Sequence, residues 1–132
     1  MSAFTTPLRV EAVDDDYTKW KVIEPFEYYT DMLDPLSVNR VYIEVEEGFI
    51  TNFASIPRIL WNILPPYGKY GKASVIHDYL YSKASDHLNI SREKADKIFL
   101  EAMGVLRVSR FKRYSMYYAV KWFGAENFKT DD

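Results

Sequence analysis

The stretch Ser91-Arg-Glu-Lys-Ala-Asp-Lys-Ile-Phe-Leu-Glu-Ala-Met-Gly104 decides the class of fold. Ala95, Ile98, Phe99, Ala102 and Met103 fall at i, i+3, i+4, i+7 and i+8, a single apolar stripe on an α-helix. Asn89-Ile90-Ser91 offers an N-cap, and Glu93 puts negative charge in the first turn, where the helix dipole favours it. Gly104 is the expected stop. Working outward, Lys72 to Ala84 carries Ala73, Ile76, Leu80 and Ala84 at the same spacing. A last helix is predicted from about Ser109 to Phe123, closed by Gly124 at a C′ position. Upstream, Pro57 suits the first helical residue before Arg58 to Leu64, and Pro65-Pro66 ends that helix.

The first part of the chain has a different period. Leu8 to Val13 alternates apolar and polar residues, the mark of a half-buried strand. Asp14 to Asp16 reads as a turn. Tyr17 to Tyr29 is rich in aromatic and β-branched residues and is interrupted by Pro25, which fits an edge or a break. Asp31 to Ser37 reads as a loop. Val38 to Glu47 is the clearest strand, with Val41, Ile43 and Val45 toward the core. Gly48 marks a turn, and Phe49 to Thr51 a short returning strand. The expected class is therefore α+β: N-terminal antiparallel strands, then three to four packed α-helices, in a single domain over 1–132. Residues 1–55 read as mainly β, 56–124 as mainly α and 125–132 as a tail.

Composition narrows the chemistry. The 132 residues carry a formal charge of −2, 48% hydrophobic residues, 17% aromatic residues and no cysteine. That balance is globular rather than disordered. Without cysteine there is no disulfide scaffold, thiolate zinc site or thiol nucleophile. A near-neutral charge argues against a dedicated nucleic-acid binder. No apolar run reaches the length of a membrane span, and the N-terminus does not read as a signal peptide. The expected location is the cytoplasm where the chain is made.

The residues best suited to chemistry lie in Ile76-His77-Asp78-Tyr79-Leu80-Tyr81. His77 and Tyr81 share a helix face. Asp78 is turned about 100° away, toward an adjoining cleft. Asp96 flanks the apolar stripe of the next helix. If the two helices pack antiparallel, Asp96 can bond one imidazole nitrogen of His77 and fix its tautomer, with Tyr81 donating to the same carboxylate. His77 then acts as a base, and Asp78 stays available for a cation. The plainer reading is a hydrogen-bonded structural His, with Asp96 paired to Arg92 along its own helix. His87 reads as surface. Ser55 and Ser74 lack the Gly-x-Ser-x-Gly elbow of serine hydrolases.

The pattern H-D-x-x-Y followed by A-D-x-x-F resembles the core of phospholipases A2, most closely the cysteine-free domains of parvovirus capsids. That resemblance covers Ala73 to Phe99. It implies His77 as general base, Asp78 as calcium ligand, Asp96 as the residue orienting His77, and Tyr81 in support. Gly68 and Gly71 stand nearer to His77 than the calcium loop of those enzymes does, and they also fit a turn entering the helix. A longer match runs through Gly48-Phe-Ile-Thr-Asn-Phe-Ala-Ser-Ile-Pro-Arg58, Trp61, Leu64-Pro-Pro-Tyr-Gly68, His77 to Tyr81, Arg92, Ala95-Asp96 and Phe99. It continues to Phe123-Gly124 and is similar to a phage and prophage family, domain of unknown function 1353. Asn52 and Arg58 enter as supporting candidates from this run. The family usually carries Asp at the position of Asn52, and an Asn retains a carbonyl ligand but no charge.

The C-terminal helix mixes Arg107, Arg110, Lys112, Arg113 and Lys121 with Tyr114, Tyr117, Tyr118 and Trp122. Such a face can lie at a membrane, touch phosphates or dock on a neighbouring subunit. The spacing of Phe111, Tyr114, Tyr118 and Trp122 favours a core-packing stripe. The leading expectation is a phage-encoded, hydrolase-like domain, phospholipase A2-like and calcium-dependent, acting on an ester or amide of the cell envelope, phospholipid first. The alternative is a non-enzymatic tail or baseplate protein bound to other virion proteins, in which the His-Asp set is a lock between helices.

Overall fold

The computed structural model describes residues 2–13, 19–30, 41–51, 71–124 and 128. The chain forms two compact units, residues 1–52 and 53–132. The predicted turn at 14–16, the loop at 31–37, the helix at 57–64, the family motifs at 52–58 and 61–68, Asn52 and Arg58 lie outside the described residues.

The first unit is β-structured. Its strands are β1 (Ala3–Phe4), β2 (Val10–Ala12), β3 (Trp20–Val22), β4 (Phe26–Thr30), β5 (Val41–Val45) and β6 (Ile50–Thr51). Among the described residues they form two antiparallel three-stranded sheets, ordered β1-β4-β5 and β2-β3-β6. The aromatic run splits as Pro25 requires, into β3 and β4. In β4, Phe26, Tyr28 and Thr30 are buried and alternate with partly exposed neighbours. They pair with β5 in the register Phe26↔Val45, Tyr28↔Ile43 and Thr30↔Val41. Ile43 and Val45 are buried while Tyr42 is half-exposed, which is the period-2 pattern read from the sequence. The side chain of Val41 is not among those described.

One expectation needs correction here. The chain after Gly48 does not return along β5. Gly48 has φ +96°, and its amide donates to Val22 O at 2.7 Å, so the turn delivers β6 to β3. The left-handed backbone at Gly48 is the reason glycine serves there.

The described residues of the second unit are helical: α1 (Gly71–Tyr81), a 3-10 turn (Lys83–Leu88), α2 (Arg92–Val105) and α3 (Arg110–Phe123). Thus the class is α+β, strands first and helices after. Helix α1 packs on α2, and α2 on α3. Ala95, Ile98, Phe99, Ala102 and Met103 are fully buried, as the stripe requires. Burying each of the larger ones contributes roughly 1.5–3 kcal/mol. Helix α1 is covered nearly all round; only Lys72 and Asp78 keep part of their surface.

The caps show what local sequence can and cannot place. Ser91 and Ser109 accept from Lys94 N and Lys112 N, as N-caps should. Helix α1 ends at Tyr81, three residues short of the expected Ala84. Ser82 turns extended, and its hydroxyl donates to Tyr79 O at 2.7 Å, which closes the helix. Helix α2 runs past Gly104. Its left-handed C′ residue is Arg107, at φ 61°. The amides of Val108 and Arg107 donate to Met103 O and Gly104 O, both at 3.0 Å, the paired bonds of a Schellman motif. Gly124 has φ −86°, so it is not a left-handed C′ glycine.

Candidate functional site

The helical unit contains a chain of polar groups running from α1 through α2 to the end of α3. His77 and Tyr81 lie one turn apart on α1, and their rings are 4.2 Å apart. Phe99 of α2 packs on the other side of the imidazole, at 4.5 Å. The antiparallel approach of α2 brings Asp96 to both. His77 Nε2 lies 2.8 Å from Asp96 Oδ1, and the Tyr81 hydroxyl donates to the same oxygen at 2.6 Å. Both of Asp96's described bonds fall on Oδ1.

The chain extends through Arg92. Its Nε donates to the Tyr81 hydroxyl at 3.2 Å. Its Nη2 donates to Val120 O at 2.9 Å and also to Lys121 O. A guanidinium thus closes the last turn of α3, where unpaired carbonyls and the helix dipole favour a cation. This corrects the plainer reading of Arg92: it does not pair with Asp96 along α2 but reaches over to Tyr81 and α3.

Electrostatics follow from these contacts. His77 is fully buried and Asp96 is 3% exposed. A buried carboxylate is tolerable only when its oxygens have donors, and here an imidazole N–H and a phenol supply them. Tyr81 holds its proton well above the ordinary value of 10.0. Burial is the largest cause, followed by the hydrogen bond to Asp96 and its negative charge, while Arg92 partly offsets them. So Tyr81 is a donor at every physiological pH.

Gly124, read from the sequence as a helix stop, belongs to this arrangement. A Cβ there would stand 2.6 Å from Val120 O and 2.9 Å from the Tyr81 hydroxyl. Glycine is needed for close approach, not for conformation. Phe128 adds an edge-on ring 5.1 Å from Tyr81.

Beside this chain lies an open cleft of about 400 Å³ between α2 and α3. Arg92, Glu93 and Asp96 line it from α2, and Tyr117, Lys121 and Trp122 from α3. Asp96 therefore faces the cleft while holding His77 behind it. His77 is not among the lining residues. Nor is Asp78, which is partly exposed on α1. Among the described residues no three His, Asp or Glu side chains converge on one point. Of the residues singled out in the sequence, the structure joins His77, Asp96 and Tyr81. Arg92 was visible as a motif residue and as a partner for Asp96 along α2, and Tyr117, Lys121 and Trp122 as members of a basic aromatic helix.

Comparison with protein families places residues 20–120 in the family described as protein of unknown function (DUF1353). The chain belongs to that family. Comparison with curated proteins and with solved structures finds no match in either. No described helix is long and apolar enough to cross a membrane.

Proposed function

We propose that the protein is a hydrolase-like domain in which His77 is the general base and Asp96 and Tyr81 are positioning residues. The observation that carries this reading is the sharing of Asp96 Oδ1 by His77 Nε2 and the Tyr81 hydroxyl. With Nε2 donating to the carboxylate, proton transfer to a reactant runs through Nδ1. His77 is fully buried, so this reading requires an opening that admits water and ester to Nδ1, where the water gives its proton to the ring as its oxygen attacks the carbonyl. The imidazolium, stabilised by Asp96, then returns that proton to the departing alkoxide, giving acid and alcohol. A positioned His base contributes roughly 10²–10⁴-fold. The substrate class is an ester of the cell envelope, phospholipid first, in the phage or prophage setting that the family resemblance implies. Calcium enters this proposal as a requirement to be tested, with Asp78 as its candidate ligand.

A second reading rests on the complete burial of His77 between two rings. In it the His-Asp-Tyr-Arg chain is a lock joining three helices of a non-enzymatic structural or assembly protein. One experiment separates the two. Hydrolysis of a fluorogenic phospholipid is measured with calcium and with a chelator, for wild type, His77→Gln and Asp96→Asn. The hydrolase reading expects wild-type turnover that falls about 10²-fold or more in His77→Gln, with the circular dichroism spectrum retained. It also expects a shifted pH profile in Asp96→Asn. Wild-type turnover no greater than that of His77→Gln, in either condition, overturns the hydrolase and leaves the lock.

A further inference from the structure

The aromatic stripe of α3 is on the outside. Phe111 is 82% exposed and Trp122 68%, with Tyr114 and Tyr118 about two-fifths exposed. The residues of α3 that face the unit's interior are Met116, Tyr117, Ala119 and Val120. The expected core-packing role of Phe111, Tyr114, Tyr118 and Trp122 is therefore wrong, because α2 lies against the opposite face.

With each residue turned about 100°, Phe111, Tyr114, Tyr118 and Trp122 form one narrow ridge along the helix. Arg110 and Lys121 project from one flank of that ridge, and Lys112 from the other. Tyr118 lies 5.4 Å from Trp122 and 6.5 Å from Tyr114, so the rings form a continuous surface. Phe123, 63% exposed, widens its C-terminal end. From Gly104 to Ala125 the chain has five Arg or Lys and no Asp or Glu, in a protein whose net charge is −2. No described salt bridge uses Arg110, Lys112 or Lys121. Large exposed aromatics are disfavoured on a surface that meets only water.

We infer that this face of α3 docks on an anionic phospholipid surface, with the helix lying in the plane of the interface. Aromatic rings at headgroup level and cations on acidic lipid are the two contributions such a face makes. The charge decides for acidic lipid, since every charged residue of the face is positive. The ridge favours lipid over a duplex backbone: a Phe and a Trp at either end of a helix enter an acyl boundary together, whereas contacts to duplex phosphates leave such rings in water. The inference concerns the α3 face alone and stands apart from the hydrolase reading.

The test is cosedimentation of the full chain with vesicles of phosphatidylcholine, with and without phosphatidylglycerol. It is run on wild type and on His77→Gln, so that hydrolysis does not enter the measurement. Binding is expected only with phosphatidylglycerol and is expected to weaken with salt. The Phe111→Ser, Trp122→Ser pair and the Arg110→Gln, Lys112→Gln pair are each expected to reduce it about tenfold or more. All four positions are exposed, and retained thermal stability verifies the fold. Absence of binding to acidic vesicles, or binding that both pairs leave unchanged, overturns the inference. So does binding to an oligonucleotide but not to vesicles, or a dimer that the Phe111→Ser, Trp122→Ser pair dissociates.

Discussion

The helical unit holds two regions that invert the usual placement of residues. Between α1 and α2, a histidine, an aspartate and a tyrosine hydroxyl are buried where apolar side chains would pack. On the outer face of α3, aromatic rings stand in solvent where polar side chains would serve. The first region is expensive unless every polar atom is matched, and its atoms are matched to one another. The second contributes little to folding, because its rings gain little burial. The difference teaches where stability and function separate. The buried chain is part of the packed interior as well as the proposed catalytic group, so its substitutions must be read with folding controls. The exposed ridge can be changed almost without structural cost.

The largest effect expected is at Asp96. Replacing it by Ala leaves an imidazole N–H and a phenol without their acceptor in the interior. A loss of about 3–5 kcal/mol is expected in urea unfolding. A loss below about 1 kcal/mol would break the comparison, because the buried region would then be no more coupled than the surface.

Gly124→Ala comes next. Its methyl meets a backbone carbonyl that cannot yield and the Tyr81 hydroxyl. A loss of about 1–3 kcal/mol is expected, with a displaced Tyr81 visible in aromatic side-chain NMR shifts. Tyr81→Phe follows, at about 1–2 kcal/mol near neutral pH. Its pH dependence has a definite sign. The folded state raises the phenol's affinity for its proton, so this stabilisation is fully present below the ordinary value of 10.0 and is lost as pH rises above it. Alkaline unfolding of wild type should therefore show a decline in stability above pH 10 that Tyr81→Phe reduces, as followed by circular dichroism.

The smallest effect is expected from Phe111→Ser with Trp122→Ser, within about 0.5 kcal/mol for each surface position. A cost of several kcal/mol would show that the ridge is packed in solution and would dissolve the contrast.

The helices were legible where the signal was local. The stripe from Ala95 to Met103 and the caps Ser91 and Ser109 depend only on nearby residues, and they stand where the sequence put them. The pairing of His77 with Asp96 was legible as a consequence of antiparallel packing, and Tyr81 joined it by sharing a turn with His77. What failed was any question with two local answers. Gly104 and Gly124 both look like helix stops, but α2 runs past the first, while α3 does end before the second, which a tyrosine from another helix also requires. Arg107 holds the left-handed position with no glycine to announce it. On α3, Phe111-Tyr114-Tyr118-Trp122 and Met116-Tyr117-Val120 both recur at helical spacing, and a periodic pattern cannot say which face is covered.

The sequence by itself determined the order of strands before helices, the stripe that buries α2, and the spacing that lets His77 and Tyr81 meet one carboxylate. These follow from backbone periodicity, which acts over a few residues. Tertiary structure alone decided that β6 joins β3, that Arg92 closes α3, that Gly124 must lack a side chain, and which side of α3 faces water. Those outcomes depend on which surfaces approach one another, and close packing, unlike helical period, is a property of neighbours distant along the chain.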